Sequence, residues 1–247
     1  MQFPENIFQA ICEEMLPTAC IVCQDFQKYS LCNHCLKNLQ NDGLFNYLCC
    51  YQCGITLLAS ELAQKRCAPC QTTQPYFDET YCLDLYEGIL QTPLHELKYQ
   101  KRIAYSHALS NAWNLLLSQG LENTPANYLI PVPLSIQKLA QRGFNQSWEI
   151  AKRVRCRRDI QKTPRVLLRK HSPEHQAGSS LFHRHLAIQG VFYMDSNYVA
   201  DLQNKTVIVF DDVMTSGATL NEIARVLKDN GVSRVINWVL LRATRPI

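Results

Sequence analysis

Residues 204–243 read NKTVIVFDDVMTSGATLNEIARVLKDNGVSRVINWVLLRA. Val207 to Phe210 is an unbroken apolar run rich in β-branched residues, the composition of a strand buried on both faces of a parallel sheet. Ile223, Ala224, Val226 and Leu227 then recur at helical spacing, and Asn230-Gly231 closes that helix. Val235 to Leu241 is a second buried strand. Strand, helix and strand at these lengths predict a βαβ unit, hence an α/β domain whose ligands sit at the carboxyl ends of its strands.

At that end lies Asp211-Asp212-Val213-Met214-Thr215-Ser216-Gly217-Ala218-Thr219. Thr215, Ser216 and Thr219 offer hydroxyls, and Gly217 lets backbone come close to a ligand. The amides of Thr215, Ser216, Gly217, Ala218 and Thr219 open a helix N-terminus, a ready anion site. Asp211 and Asp212, just upstream, suit the vicinal diol of a ribose. Phosphate and diol held close together describe a ribose 5-phosphate, with phosphoribosyl diphosphate the best candidate. The bland reading is a capped helix with solvated acids.

Upstream the chain carries LKYQKR (Leu97 to Arg102), IPVPLS (Ile130 to Ser135) and QRGFNQS (Gln141 to Ser147). Ile130-Pro-Val-Pro-Leu reads as a strand ending in a rigid turn. The next stretch supplies a cation at Arg142, a hinge at Gly143 and amides at Asn145 and Gln146. A helix through Trp148, Ile150, Ala151 and Val154 follows. Arg142 and Lys98 are candidates to grip a diphosphate, Arg142 in bidentate fashion; surface cations are the alternative.

Net charge is +4, but Lys138 to His185 holds twelve Lys or Arg against three acids. That window carries +9 and the remainder −5, so it calls for anionic company. Arg153, Arg155, Arg157 and Arg158 form its densest run. As a nucleic-acid footprint they would act by phosphate neutralisation, with Phe144 and Trp148 stacking on unpaired bases. The alternative is a solvated charged face with Trp148 in the core.

Eleven of the twelve cysteines precede residue 83. Eight form CxxC pairs: Cys20 with Cys23, Cys32 with Cys35, Cys50 with Cys53, and Cys67 with Cys70. Each pair brings two sulfurs to one side of a turn, and two pairs complete a tetrahedral zinc site. Sequential pairing is the simpler topology and a cross-braced one is the alternative. Four sulfur ligands leave no open position, so one or two structural Zn2+ ions are expected. His34 reads as a bystander, and Cys12, Cys49, Cys82 and Cys156 as packing residues.

A small metal-stapled module over residues 1–75 and an α/β domain over 76–247 follow, with the polar segment QTTQPYFDET (71–80) at the junction. The sequence has no apolar run of transmembrane length, and its N-terminus carries acids where a secretory signal carries Lys or Arg. A cytoplasmic protein is expected, with thiols reduced.

VIVFDDVMTSGAT resembles the thirteen-residue signature of type I phosphoribosyltransferases. Together with LKYQKR, IPVPLS, QRGFNQS, the Leu167–Phe192 stretch and the cysteine pairs, the order of motifs is similar to the ComF family across nearly the whole chain. The resemblance implies a double zinc ribbon joined to a type I phosphoribosyltransferase-like parallel sheet with helices, and Mg2+ accompanying phosphoribosyl diphosphate. It also implies a part in natural transformation, with single-stranded DNA, a competence helicase and DNA-processing proteins as partners. In the family pattern over Leu167–Phe192, Arg169, Gln176, Arg184, Gly190 and Phe192 match. Pro173, Ser179 and Ala187 depart from it, which makes this loop the weakest carry-over.

Two classes of function follow. In one, the ligand is bound or sensed while ribbons and basic surface hold DNA or a partner. In the other, the chain is a transferase: Asp211 and Asp212 hold the diol, the 215–219 turn the 5-phosphate, and Lys98 and Arg142 the departing diphosphate. Related purine-salvage enzymes place an Asp base where this chain has Thr215, which argues against a purine acceptor. The first class is preferred.

Overall fold

The apolar runs become the central strands of a five-stranded, wholly parallel sheet. Residues 18–170 and 188–244 are described by this computed structural model. The elements are β1 (Thr18–Ala19), β2 (Phe26–Gln27), α1 (Asn33–Asp42), α2 (Ala68–Thr72), β3 (Glu79–Leu85), α3 (Gln91–Tyr99), α4 (Tyr105–Leu116), α5 (Ser118–Leu121) and β4 (Tyr128–Pro131). They continue with α6 (Ile136–Arg142), α7 (Gln146–Ala151), β5 (Gln161–Lys162), β6 (Leu167–Arg169), β7 (Phe192–Met194), β8 (Thr206–Met214), α8 (Ala218–Asp229) and β9 (Arg234–Arg242). The sheet order is β3-β9-β8-β4-β5.

Strand β8 is central. It pairs with β9 from Thr206↔Arg234 to Met214↔Arg242, and with β4 from Tyr128↔Val207 to Pro131↔Phe210. From β8 the chain crosses through α8 to β9 on one side; from β4 it crosses through α6 and α7 to β5 on the other. The strand order therefore reverses between β4 and β8, and a crevice opens beyond their carboxyl ends. That crevice is where both signature loops emerge. β8 extends past Phe210 through both acids, because β9 continues to pair at Asp211↔Val239 and Val213↔Leu241. The helix expected through Val154 ends instead at Ala151, with Val154 still fully buried.

Successive strand residues point to opposite faces. Val207, Val209, Val235 and Val239 join one core with Leu220, Ile223 and Leu227 of α8. Ile208, Phe210, Ile236 and Trp238 join the other with Leu94, Leu97, Trp113 and Ile150. Trp113 meets Phe210 edge-on at 5.5 Å and Trp238 at a tilt of 36° at 5.6 Å. Each such buried large side chain contributes roughly 1.5–3 kcal/mol.

The cysteine-rich segment saddles the β3 edge of this sheet. Cys20 and Cys35 belong to the Trp113 core, whereas Cys50, Cys53, Cys67 and Cys70 belong to the α8 core. Between them, Cys82 of β3 faces the α8 core and Leu83 the Trp113 core. The Thr80 N–H donates to the Tyr51 carbonyl at 2.9 Å, so a cysteine knuckle continues the sheet edge. The junction 71–80 is tied down. Tyr76 N–H donates to Asn221 Oδ1 (2.7 Å), and the Asp78 carboxylate takes the Val235 N–H (2.8 Å) and the Lys228 ammonium (2.9 Å). Among the described residues no helix is long and apolar enough to cross a membrane.

Candidate functional site

The turn after β8 is built by one backbone choice. Gly217 takes φ +82°, the left-handed region that a side chain resists, and so turns the chain from strand to helix. A Cβ there would lie 2.6 Å from Met214 Cε. The first amides of α8 have no partner within the helix. Ser216 Oγ accepts from the Ala218 N–H at 3.4 Å. Thr215 and Ser216 are exposed, Thr219 half-buried, and Gly217 and Ala218 buried. A surface-open loop of amides and hydroxyls at a helix start suits a phosphate.

Asp211 and Asp212 are both buried beside that turn. Asp211 Oδ1 accepts the Asp212 N–H at 2.9 Å, and Ser147 Oγ donates within 3.5 Å of Asp211 Oδ1 and 3.4 Å of Asp212 Oδ1. Gln146 Nε2 donates to Asp212 Oδ1 at 3.3 Å. Lys98, at the end of α3, forms an ion pair with Asp212 Oδ2. Burial and the neighbouring Asp212 charge raise Asp211 well above the usual carboxylate range. Burial also acts to raise Asp212, but Lys98 and the donors from Asp211 and Gln146 outweigh it, and Asp212 lies lower than usual. The pair therefore resists ionising twice, and Asp212 takes the charge more readily than Asp211. Two adjacent carboxyls that differ in acidity can between them give and accept hydrogen bonds, which fits a diol.

Helix α7 presents Gln146 and Ser147 because Asn145 caps it. Asn145 Oδ1 accepts from Ser147 N–H at 3.0 Å, and Asn145 Nδ2 donates to the Val132 carbonyl at 2.9 Å. Gln146 entered the sequence reading only as a loop amide, and Ser147 had no role in it. Their signal was position, one residue into a capped helix that crosses β8. Lys98 and Arg142 both lie near the acids but are engaged. Arg142 Nη1 donates to Gln146 Oε1 at 2.8 Å, and its guanidinium lies 5.3 Å from the Tyr99 ring centre.

The basic run is divided. Arg153 pairs with Glu149 at 3.0 Å, Lys152 with the same carboxylate at 2.7 Å, and Arg157 Nε with Asp159 at 3.0 Å. Arg155 and Arg158 are exposed, with no ion pair among the described residues. Trp148 and Phe144 are half-buried against the Trp113 core, and only their outer parts are open. In the Leu167–Phe192 stretch, Arg169 stands across from Phe192 in the β6–β7 pair, 5.5 Å from its ring centre. Gly190 N–H donates to Glu222 Oε1 at 2.8 Å. Pro173, Gln176, Ser179, Arg184 and Ala187 lie outside the described residues, as does Cys12.

The eight CxxC cysteines gather into the two sequential quartets, Cys20/Cys23/Cys32/Cys35 and Cys50/Cys53/Cys67/Cys70, with all sulfurs of a quartet within 4.8 Å. Tetrahedral zinc with Zn–S near 2.3 Å needs sulfurs about 3.8 Å apart. Cys23 and Cys32 are 3.8 Å apart, and Cys53 and Cys67 3.5 Å. Burial pushes the Cys20 thiol up, but amides of Cys23, Cys32 and Val22 bring it to about 7. Hydrogen bonding to Cys50 pushes Cys53 up to about 12. Thiols this close resist ionising together unless a cation joins them, so both quartets fit zinc. His34 is exposed and outside either quartet. Cys82 is buried; Cys49 and Cys156 are half-buried.

The phosphoribosyl transferase domain family matches residues 139–246. The chain is 27% identical over 237 residues to DNA utilization protein YhgH of Escherichia coli, spanning 92% of this chain and 98% of that one. It is 26% identical over 230 residues to competence protein F of Haemophilus influenzae, spanning 91% and 96%. Among solved structures, the allosteric regulatory enzyme of purine biosynthesis aligns at 18% identity and TM-score 0.37, over 58% of this chain and 29% of that one. With such relatives along nearly its whole length, and a phosphoribosyl transferase domain behind two four-cysteine clusters, the chain is similar from end to end to DNA utilization protein YhgH and competence protein F.

Proposed function

We propose that the chain binds phosphoribosyl diphosphate with Mg2+ in the crevice between β4 and β8, and that this binding serves the handling of single-stranded DNA in the cytoplasm. The observation that carries it is the buried Asp211–Asp212 pair, contacted by Lys98, Gln146 and Ser147, beside an open glycine turn at the start of α8. Asp211 and Asp212 take the ribose diol; the amides and hydroxyls of Thr215, Ser216, Gly217, Ala218 and Thr219 take the 5-phosphate. Lys98 and Arg142 are the cations nearest a diphosphate on C1, and binding releases Lys98 from Asp212. The DNA role is supported by the names of the relatives and by the basic run, chiefly the exposed Arg155 and Arg158. Arg153, Arg157 and Trp148 contribute less, being paired or packed. A 1–75 module folded on two Zn2+ ions would brace a 76–247 ligand domain, and the competence helicase and DNA-processing proteins are the protein partners this reading names.

The alternative is a transferase. Thr215, standing where related purine-salvage enzymes place an Asp base, weighs against a purine acceptor. Calorimetric titration with phosphoribosyl diphosphate and Mg2+ tests the binding, with the Asp211→Asn, Asp212→Asn double variant as comparison. Wild type is expected to bind and the variant to lose at least about tenfold in affinity, one diol hydrogen bond to a charged group being worth roughly 1.5–3 kcal/mol. Equal binding would remove the diol assignment. Diphosphate release on mixing with a panel of nucleobases would establish the transferase instead.

A further inference from the structure

Arg242, the last residue of β9, is buried. A buried guanidinium normally meets a carboxylate, yet its described hydrogen bonds all go to backbone carbonyls. Nε donates to Cys53 at 2.9 Å; Nη1 donates to Met214 at 3.0 Å, Thr215 at 2.5 Å and Ala243 at 2.9 Å. Cys53 belongs to the second quartet. Met214 and Thr215 lead into the phosphate turn. One planar side chain thus spans from a cysteine knuckle to the backbone that sets the 215–219 amides.

The charge also finds its reason there. A divalent ion on four thiolates leaves a net charge of about −2, buried in the α8 core beside this arginine. The junction makes the same connection independently. Tyr76 N–H holds Asn221 of α8, and Phe77 lies 3.9 Å from where a Cβ on Gly217 would stand. Both connections tie the second quartet's surroundings to the turn; the first quartet lies across the sheet in the other core.

We infer that Arg242 is a positioning residue that couples metal loading at Cys50/Cys53/Cys67/Cys70 to sugar-phosphate affinity at the 215–219 turn. This rests on the binding reading above. With metal bound, the cluster's negative charge holds the guanidinium, which fixes the Met214 and Thr215 carbonyls and points the following amides outward. Without it, the guanidinium loses its counter-charge and the turn its brace. Coupling between two sites is reciprocal, so the ligand must also hold the metal.

The test measures zinc release from the full-length, zinc-loaded protein to a chromophoric chelator, with and without phosphoribosyl diphosphate and Mg2+. In wild type, saturating ligand is expected to weaken chelator capture of one of the two zinc ions by about fivefold or more, the low end of ordinary site–site coupling. Arg242→Met should bind both zinc and ligand, the ligand less tightly, with that protection gone. Arg242→Lys keeps the charge without the fork and should restore part of it; it also serves if Arg242→Met fails to fold. Wild type that binds ligand but releases zinc at an unchanged level overturns the coupling alone. Zinc-loaded wild type that takes up no ligand overturns the binding reading, and the coupling with it.

Discussion

Lys98 lays its ammonium on the carboxylate of Asp212, joining the end of α3 to the central strand inside a largely buried site. The pair decides which of two adjacent acids is charged. Asp212→Asn strands Lys98 without its counter-charge, and should cost about 2–3 kcal/mol, below the range for a fully buried pair because Lys98 reaches solvent. Asp211→Asn replaces a carboxyl whose ionisation burial and Asp212 oppose, and should cost far less than the Asp212 change or stabilise the fold. Urea unfolding at pH 7 measures both. Equal losses would contradict the assignment of the readier charge to Asp212.

The same asymmetry has a pH signature. Asp211's folded pKa is raised, so its contribution is full below the unfolded carboxylate value and is lost as pH rises through the folded one. Asp211→Asn should therefore gain on wild type as pH increases. A constant difference between pH 5 and 9 would count against it.

Asp84 of β3 offers a separate case. Burial pushes it up to about 6, against the pull of the Leu85 N–H. Stability from this group is present below about pH 4 and lost as pH climbs through 6, so Asp84→Asn should stabilise by about 2 kcal/mol at pH 8 and by nearly nothing at pH 4. Thermal unfolding at the two pH values checks this. A loss of stability at pH 8 would show that the carboxylate has a partner worth more than its burial costs.

Gly217→Ala meets both a left-handed backbone and Met214 Cε. It should destabilise by roughly 1–2 kcal/mol and weaken phosphoribosyl diphosphate binding more than stability loss explains. Gel shifts with single-stranded DNA over a salt series address the basic run. Removing Arg155 or Arg158 should lower the log–log salt slope by about 1 each, and removing Arg157, paired with Asp159, by less. Equal effects from all three would assign the footprint to net charge alone.

Much of this was readable from residue order. Val207–Phe210, the α8 periodicity and Val235–Leu241 carry period and length together, so their strand–helix–strand order was fixed before any contact was known. The cysteine quartets were legible for the same reason, since CxxC geometry is local. Ser147 and Arg242 were not. Ser147 matters only because α7 crosses β8, and Arg242 only because a knuckle nearly 190 residues earlier packs on the β9 edge. The pairing of Lys98 with Asp212 was hidden likewise, since the sequence offered that lysine only as a diphosphate contact. Long-range pairing leaves no periodic trace.

The most direct measurement is a diffraction study of crystals grown with phosphoribosyl diphosphate and Mg2+. The 5-phosphate should lie against the amides of 215–219 and the ribose hydroxyls within hydrogen-bond reach of Asp211 and Asp212, with Lys98 turned off Asp212. Ligand density elsewhere, with the turn bare and Lys98 still on Asp212 at saturating ligand, would contradict the account.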